Sequence, residues 1–151
     1  LPWHIVNPKT EQWGYYEPSG YKPPLLGRHW VWGITDCLSL VEDWYSQEKK
    51  ITFKKATRPL TPEIFHENPQ SKEDGDFNNY LITAGFRLLE PNEKLENGDV
   101  LAMSILGKGL NHVGIFLDGD VLHHLGDRIS CKEPYNEWLF KCTGARYRYD
   151  A

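Results

Sequence analysis

Cys37 is a candidate nucleophile because of its place at the start of a predicted helix. Four residues follow the i, i+3, i+4, i+7 spacing of one helical face: Cys37, Leu40, Val41 and Trp44. Thr35 or Asp36 is a suitable N-cap, which places Cys37 in the first turn on the buried face. The partial positive charge of a helix N-terminus stabilises a thiolate. A cysteine on an apolar helix face is also compatible with an inert core residue, so Cys37 alone predicts no enzyme.

Three histidines could complete such a site. His112 begins a predicted strand, and the strand that returns from it carries His123 and His124. A neighbouring imidazole can take the proton of a thiol, and a third polar group can fix the tautomer of that imidazole. Across a hairpin, either His123 or His124 can hydrogen-bond to His112, but only one of them faces the same side.

Periodicity and turn signals predict the elements that position these residues. Apolar spacing predicts helices over 37–45 and 77–86, the second ending near Gly85. Residues 99–103, 112–117, 121–124 and 144–149 are predicted as strands, and Asp118-Gly119 is a hairpin turn signal. Because helices precede antiparallel strands, we predict an α+β fold with the helices on one face of the sheet.

Two further segments lack a clear core pattern. Residues 1–29 are rich in proline, glycine and aromatic residues and are predicted to form an extended arm, with a single domain over 30–151. Residues 46–75 are polar and are predicted to be a solvated insertion, within which Thr61-Pro62-Glu63 resembles a helix start.

Composition excludes several functional classes. The chain has 151 residues and a net charge of −4, which argues against general nucleic-acid binding, and no apolar run is long enough to span a membrane. Three cysteines without a CxxC pair predict no disulfide framework, although a single Cys131–Cys142 bridge is allowed. Two histidines and a distant cysteine make a poor zinc set, so we expect no metal.

Four segments together resemble the NlpC/P60 family of cell-wall cysteine peptidases. They are Trp32-Gly33-x-x-Asp36-Cys37-x-Ser39-Leu40-Val41, Gly98-Asp99-Val100-Leu101, Asn111-His112-Val113-Gly114-Ile115-Phe116-Leu117 and Val121-Leu122-His123. The resemblance covers about residues 26–148 and implies a papain-like α+β fold. Members from lambda-like phage tail tips are the most similar, because they share Asp43-Trp44-Tyr45, Ala84-Gly85-Phe86 and the doubled histidine.

The resemblance also implies roles for individual residues. Cys37 matches the nucleophile, His112 the general base and His123 the residue that orients the base, with His124 as the alternative because the hairpin turn is one residue shorter than usual. Asp36 would shape the cysteine turn and lie at the substrate, together with Trp30 and Trp32, and His29 is a further candidate there.

The sequence departs from the family pattern at two positions, of which the one at Trp30 concerns the oxyanion hole. Trp30 occupies a position where many members have tyrosine, and Cys37-Leu38-Ser39-Leu40 replaces their usual Cys-Ser-Gly-Leu. The indole N–H of Trp30 and the backbone N–H of Cys37 are the candidate donors.

The implied function is a cysteine peptidase that cuts the stem peptide of peptidoglycan, commonly between D-glutamate and the diamino acid. It would act at the bacterial cell wall from a phage tail tip, in contact with other tail-tip proteins and without a metal or organic cofactor. Two alternatives stay open: a tail component in which the fold serves mainly for docking or assembly, and a host wall hydrolase or toxin of the same fold.

Overall fold

The computed structural model of the chain describes residues 3–16, 19–54, 75–105 and 109–151. It contains eight strands: β1 (Trp3–Val6), β2 (Trp13–Tyr16), β3 (Phe86–Leu88), β4 (Val100–Met103), β5 (His112–Leu117), β6 (Asp120–His123), β7 (Cys131–Pro134) and β8 (Thr143–Tyr149). Its helices are α1 (Cys37–Trp44), α2 (Gly75–Thr83) and α3 (Glu137–Cys142), and a π-helical turn (Tyr45–Lys49) continues α1.

A six-stranded antiparallel sheet is the centre of the fold. Its strand order is β3-β8-β4-β5-β6-β7, and helix α1 packs against β5 in the middle of the sheet. The mixture of helices and antiparallel strands confirms the predicted α+β class. Because β7 is the last strand of this order, one of its edges has no partner strand among the described residues.

Both faces of the sheet are covered, since alternate residues of β4 enter different buried clusters. Val100 and Ala102 pack with the residues of α1, whereas Leu101 and Met103 pack with Leu139 of α3. Phe77 and Leu81 of α2 belong to the same cluster as the residues of α1, so the two predicted helices lie on one face as expected, and α3 lies on the other. This six-residue helix was not predicted from the sequence.

Element boundaries differ from the predictions in ways that have local causes. The first helix was predicted to residue 45, but its α-helical part ends at Trp44 and Tyr45 begins the π-helical turn. The second ends at Thr83; Gly85 has φ +97°, and the chain turns there so that Phe86 enters β3 instead of the helix. Strand β6 ends at His123, so His124 lies just outside it.

The N-terminal segment contains regular structure that its composition did not predict. Strands β1 and β2 form an antiparallel hairpin with exposed aromatic side chains, including Trp3 and Trp13. Gly27 donates a backbone hydrogen bond to Ser130, and the backbone carbonyl of Arg28 accepts one from it, which attaches the end of the predicted arm to the sheet. The domain boundary at residue 29 stays a prediction.

The structure also bears on the expectations for the polar insertion, the cysteines and a membrane span. The Thr61-Pro62-Glu63 helix start and most of the predicted insertion lie outside the described residues. All three cysteines have free thiols, so the allowed Cys131–Cys142 bridge is absent. Among the described helices, none has the length and apolar character needed to cross a membrane.

A buried ion pair ties the C-terminal strand to the loop before β4. Arg148 donates to both carboxylate oxygens of Asp99 at 2.9 and 2.8 Å, and Asp99 is 2% exposed. The aspartate of the Gly-Asp motif therefore has a structural role in this ion pair. Gly98 fits the same turn because it has φ +102° and a Cβ there would lie 3.2 Å from the Trp44 ring.

We predict that Arg148→Met destabilises the fold by about 3 kcal/mol, since it leaves the Asp99 carboxylate buried without its cation. Urea unfolding measures the change. Arg87→Met is a matched control, because Arg87 lies opposite Arg148 on β3 but its pair with Glu93 is solvent-accessible. The control should cost less than about 1 kcal/mol. Equal costs for the two variants would contradict the prediction.

Candidate active site

The turn that carries Cys37 is held by the side chain of Asp36. One carboxylate oxygen accepts from the backbone N–H of Ser39 and the other from that of Gly33, each at 2.8 Å. Gly33 has φ +72°, a conformation that favours glycine. Asp36 is thus the N-cap of α1, and Cys37 is the first residue of the helix, 8% exposed.

Helix α1, which begins at Cys37, packs against strand β5, which begins at His112. Burial lowers the pKa of His124, whereas the Thr35 backbone and the Asp36 carboxylate raise it, which places His124 near the N-terminal turn of α1. The charge of His124 in turn lowers the pKa of His112.

His112 and His123 are joined by a buried hydrogen bond. Nε2 of His112 lies 3.0 Å from Nδ1 of His123, with the ring planes inclined at 63°. Both rings are buried, His112 at 4% and His123 at 0% exposure. His124 instead directs Nε2 to the backbone carbonyl of Arg128 at 3.1 Å. Of the two candidates left open by the sequence, His123 is therefore the one in contact with His112.

Gly114 makes this contact sterically feasible. In the register of β5 and β6, Gly114 lies opposite His123, and His112 is the next residue on the same face of β5. A Cβ at position 114 would lie 2.7 Å from Cγ1 of Val121 and 3.0 Å from Cβ of His123. The missing side chain lets the His123 ring approach His112 diagonally across the two strands.

Strand β7 adds a residue that sequence reasoning missed. Oε1 of Glu133 lies 2.6 Å from Nε2 of His123, the ring nitrogen that does not face His112. Cys131 is directly opposite His123, and the ligating atoms of His123, Cys131 and Glu133 lie within 4.8 Å of one another. These three residues are the described set that could hold a metal ion. Cys131 has no histidine near it in the sequence, and it meets His123 because β7 pairs with β6.

The sequence model of the NlpC/P60 family matches residues 27–146. The chain belongs to the NlpC/P60 family. The curated relatives include "Tail tip assembly protein K" of Escherichia phage N15, 33% identical over 99% of this chain and 58% of that protein. The protein of the same name from Escherichia phage lambda is 28% identical over 100% of this chain and 69% of its own length.

The similar proteins are longer than this chain, which spans 58% and 69% of the two curated relatives. A crystal structure of an NlpC/P60 family protein from Bacillus cereus resembles the fold with a TM-score of 0.51 at 17% identity, over 99% of this chain and 50% of that one. These findings confirm the family resemblance and the similarity to lambda-like phage proteins.

Within this NlpC/P60 domain, burial controls the protonation of the histidines. It lowers the pKa of His112 to about 3, and the charges of His123 and His124 act in the same direction. Burial also lowers the pKa of His123, although its hydrogen bond to the Glu133 carboxylate opposes this shift. Both rings are consequently neutral at physiological pH, which is the protonation state that a general base requires.

The predicted substrate-binding residues lie in two environments. Trp30 and Trp32 are partly exposed, with ring centroids 6.0 Å apart, and the Trp30 ring lies beside Gly126. Asp36 is 1% exposed and caps α1, which agrees with its expected part in shaping the turn. His29 is exposed, and its carbonyl accepts from the Thr35 hydroxyl. Contacts of these residues with a substrate stay a prediction.

We predict that Gly114→Ala destabilises the fold by about 1–3 kcal/mol, because its methyl group has no room beside Val121 and His123. Thermal or urea unfolding measures the cost. Gly126→Ala is the control, since a Cβ there meets only the Trp30 ring at an ordinary 3.7 Å. The control should stay within about 0.5 kcal/mol of the parent. A neutral Gly114→Ala would contradict the steric account of the histidine pair.

We also predict that stability falls between pH 6.5 and pH 5. Below the ordinary pKa of histidine the unfolded chain binds protons that the folded His112 does not, so protonation favours unfolding. A single group of this kind contributes a slope of up to about 1.4 kcal/mol per pH unit.

Urea unfolding at several pH values checks this dependence. His112→Asn should reduce the slope, whereas His4→Asn, on the exposed hairpin, should leave it unchanged. The pH range stops at 5 so that the carboxylates contribute little. The prediction fails if His112→Asn retains the full slope of the parent protein.

Proposed function

We propose that the domain is a cysteine peptidase that hydrolyses the stem peptide of peptidoglycan. Membership of the NlpC/P60 family supports this proposal. The observation that supports it most is the His112–His123 hydrogen bond on a strand against which the Cys37 helix packs. In this pair the buried, neutral His112 ring uses Nε2 for the hydrogen bond to His123. Its other nitrogen, Nδ1, does not take part in that bond.

The proposed reaction proceeds through a thioester. Nδ1 of His112 takes the proton of the Cys37 thiol while the sulfur forms a bond to the peptide carbonyl carbon. The C–N bond then breaks, and the same proton passes to the leaving amine. Water attacks the thioester, releasing a carboxylic acid and the free thiol. Because burial disfavours a charged imidazole, we expect the proton to move only as the carbonyl is attacked.

Helix α1 assists as negative charge develops during the attack. Its N-terminus stabilises the partial negative charge on the sulfur, and the backbone N–H of Cys37 is the proposed donor to the oxyanion. The Asp36 cap fixes the direction of this first turn. Trp30 and Trp32 would provide the adjacent surface for an extended peptide.

The names of the two curated relatives support a place in a phage tail tip. We propose that the enzyme acts there on the bacterial cell wall during genome entry, next to other tail-tip proteins. A second candidate function is docking within the tail, which the exposed aromatic residues of the β1–β2 hairpin favour: Trp3 and Trp13 are 69% and 67% exposed. Large exposed aromatic side chains are typical of protein interaction surfaces.

Digestion of purified peptidoglycan, followed by mass spectrometry, tests the enzymatic proposal. The parent protein should release cleaved stem peptides, and the fragment masses identify the bond. Cys37→Ala should lower the rate by about a thousandfold or more, because the nucleophile is lost. His112→Ala should lower it at least about a hundredfold.

Cys142→Ala is the matched control, since Cys142 is another free, partly buried thiol and packs against the cluster that contains Leu101, Met103 and Leu139. It should cleave at the parent rate. If the folded parent does not cut peptidoglycan, or if Cys37→Ala cuts it equally well, the peptidase proposal is wrong and docking becomes the better account.

A further inference from the structure

We propose that Glu133 is a positioning residue that sets the tautomer of His112 by way of His123. The inference rests on the proposed peptidase function for its effect on catalysis. The proton arrangement that it specifies is a property of the folded domain, however, and can be measured without any activity.

The Glu133 carboxylate fixes the direction of donation in the hydrogen-bond chain His112–His123–Glu133. A carboxylate only accepts, so the 2.6 Å contact with Glu133 requires a proton on Nε2 of His123. A neutral ring has one N–H, so Nδ1 of His123 is an acceptor and must receive a proton from Nε2 of His112 across 3.0 Å. His112 then has its lone pair on Nδ1, the nitrogen that the proposed mechanism uses as the base.

The opposite direction would disable the base. If Nε2 of His123 had no proton, Nδ1 would donate to His112, and His112 would bear its own proton on Nδ1. That nitrogen could not take a proton from Cys37. Burial of both rings keeps them neutral and thereby restricts the pair to these two arrangements.

Strand β7 places Glu133 where it can act on His123. Cys131 is the register partner of His123, and Glu133, two residues further on, lies on the same face of the strand. Lys132, which lies between them in sequence, forms an ion pair with Asp120. About one third of the Glu133 side chain is solvent-accessible, so the hydrogen-bond chain ends at the surface.

A metal ion bound by His123, Cys131 and Glu133 is the competing interpretation of the cluster. Two of the three ligating atoms are 2.6 Å apart, which is the distance of a short hydrogen bond. Ligands about 2 Å from a tetrahedral zinc lie more than about 3 Å from one another. The geometry therefore favours a hydrogen bond donated by Nε2 of His123 to Glu133.

Long-range ¹H–¹⁵N spectra of the histidine rings test the proposal directly, because they separate protonated ring nitrogens from those with a lone pair. In the parent protein His112 and His123 should each have the proton on Nε2. Spectra of His112→Asn and His123→Asn assign the signals. Recording them before and after EDTA treatment tests the metal interpretation: if the Nε2 proton of His123 appears only after EDTA, the proposal is overturned.

Substitutions at position 133 should change the tautomer according to their hydrogen-bonding capacity. Glu133→Gln retains an acceptor oxygen and should keep the parent pattern. Glu133→Lys offers only donors and should move the proton of His112 to Nδ1. Glu133→Ala removes the acceptor and should give a mixture of both forms, which keeps the test available if the lysine variant does not fold.

Peptidoglycan cleavage should follow the tautomer. We expect kcat to fall about tenfold or less in Glu133→Gln and at least about a hundredfold in Glu133→Lys, with KM little changed. Glu137→Gln and Glu137→Lys, on the exposed start of α3, are the matched controls and should match the parent. A lysine variant with the parent tautomer and parent kcat would refute the proposal. If the parent protein shows the predicted tautomers but does not cut peptidoglycan, only the proposed peptidase function is refuted.

Discussion

The close approach of strands β5 and β6 at Gly114 is the constraint on which the candidate site depends. His123 lies opposite a residue without a side chain, so its ring can lean toward His112 on the neighbouring strand. Any larger residue would compete for this space with Val121 as well as with His123. The histidine pair is thus a consequence of backbone packing in the sheet, and the Val-Gly-Ile segment belongs to the chemistry although it contains no reactive group.

Burial gives this pair its chemical character. A histidine in water would titrate near neutral pH, whereas the enclosed His112 ring resists protonation strongly. The desolvation of the buried ring nitrogens is offset because each hydrogen bond in the chain replaces one that water would otherwise make. Burial also destabilises mismatched tautomers, in which two N–H groups or two lone pairs face each other, because no water is present to hydrogen-bond to them.

The sequence predicted the parts of the site that rest on strong local patterns. Helix α1, strand β5 and the turn at Asp118-Gly119 have clear periodicity or turn residues, and the structure contains all three. Strand β7 has four residues, Cys-Lys-Glu-Pro, with too little apolar alternation to indicate a strand. Glu133 was missed for that reason. Helix α3 did offer a signal, because Asn136 caps it and Glu137 follows, but six residues are too few for helical periodicity.

The edge position of β7 has a mechanistic consequence that a central strand could not provide. Contact with solvent favours the charged form of a carboxylate, whereas burial favours the neutral form of the proposed base. Successive strands of one sheet provide both environments: His112 is enclosed on β5, His123 links the two on β6, and Glu133 reaches solvent on β7. The direction of every proton in the buried part is then set from the accessible end.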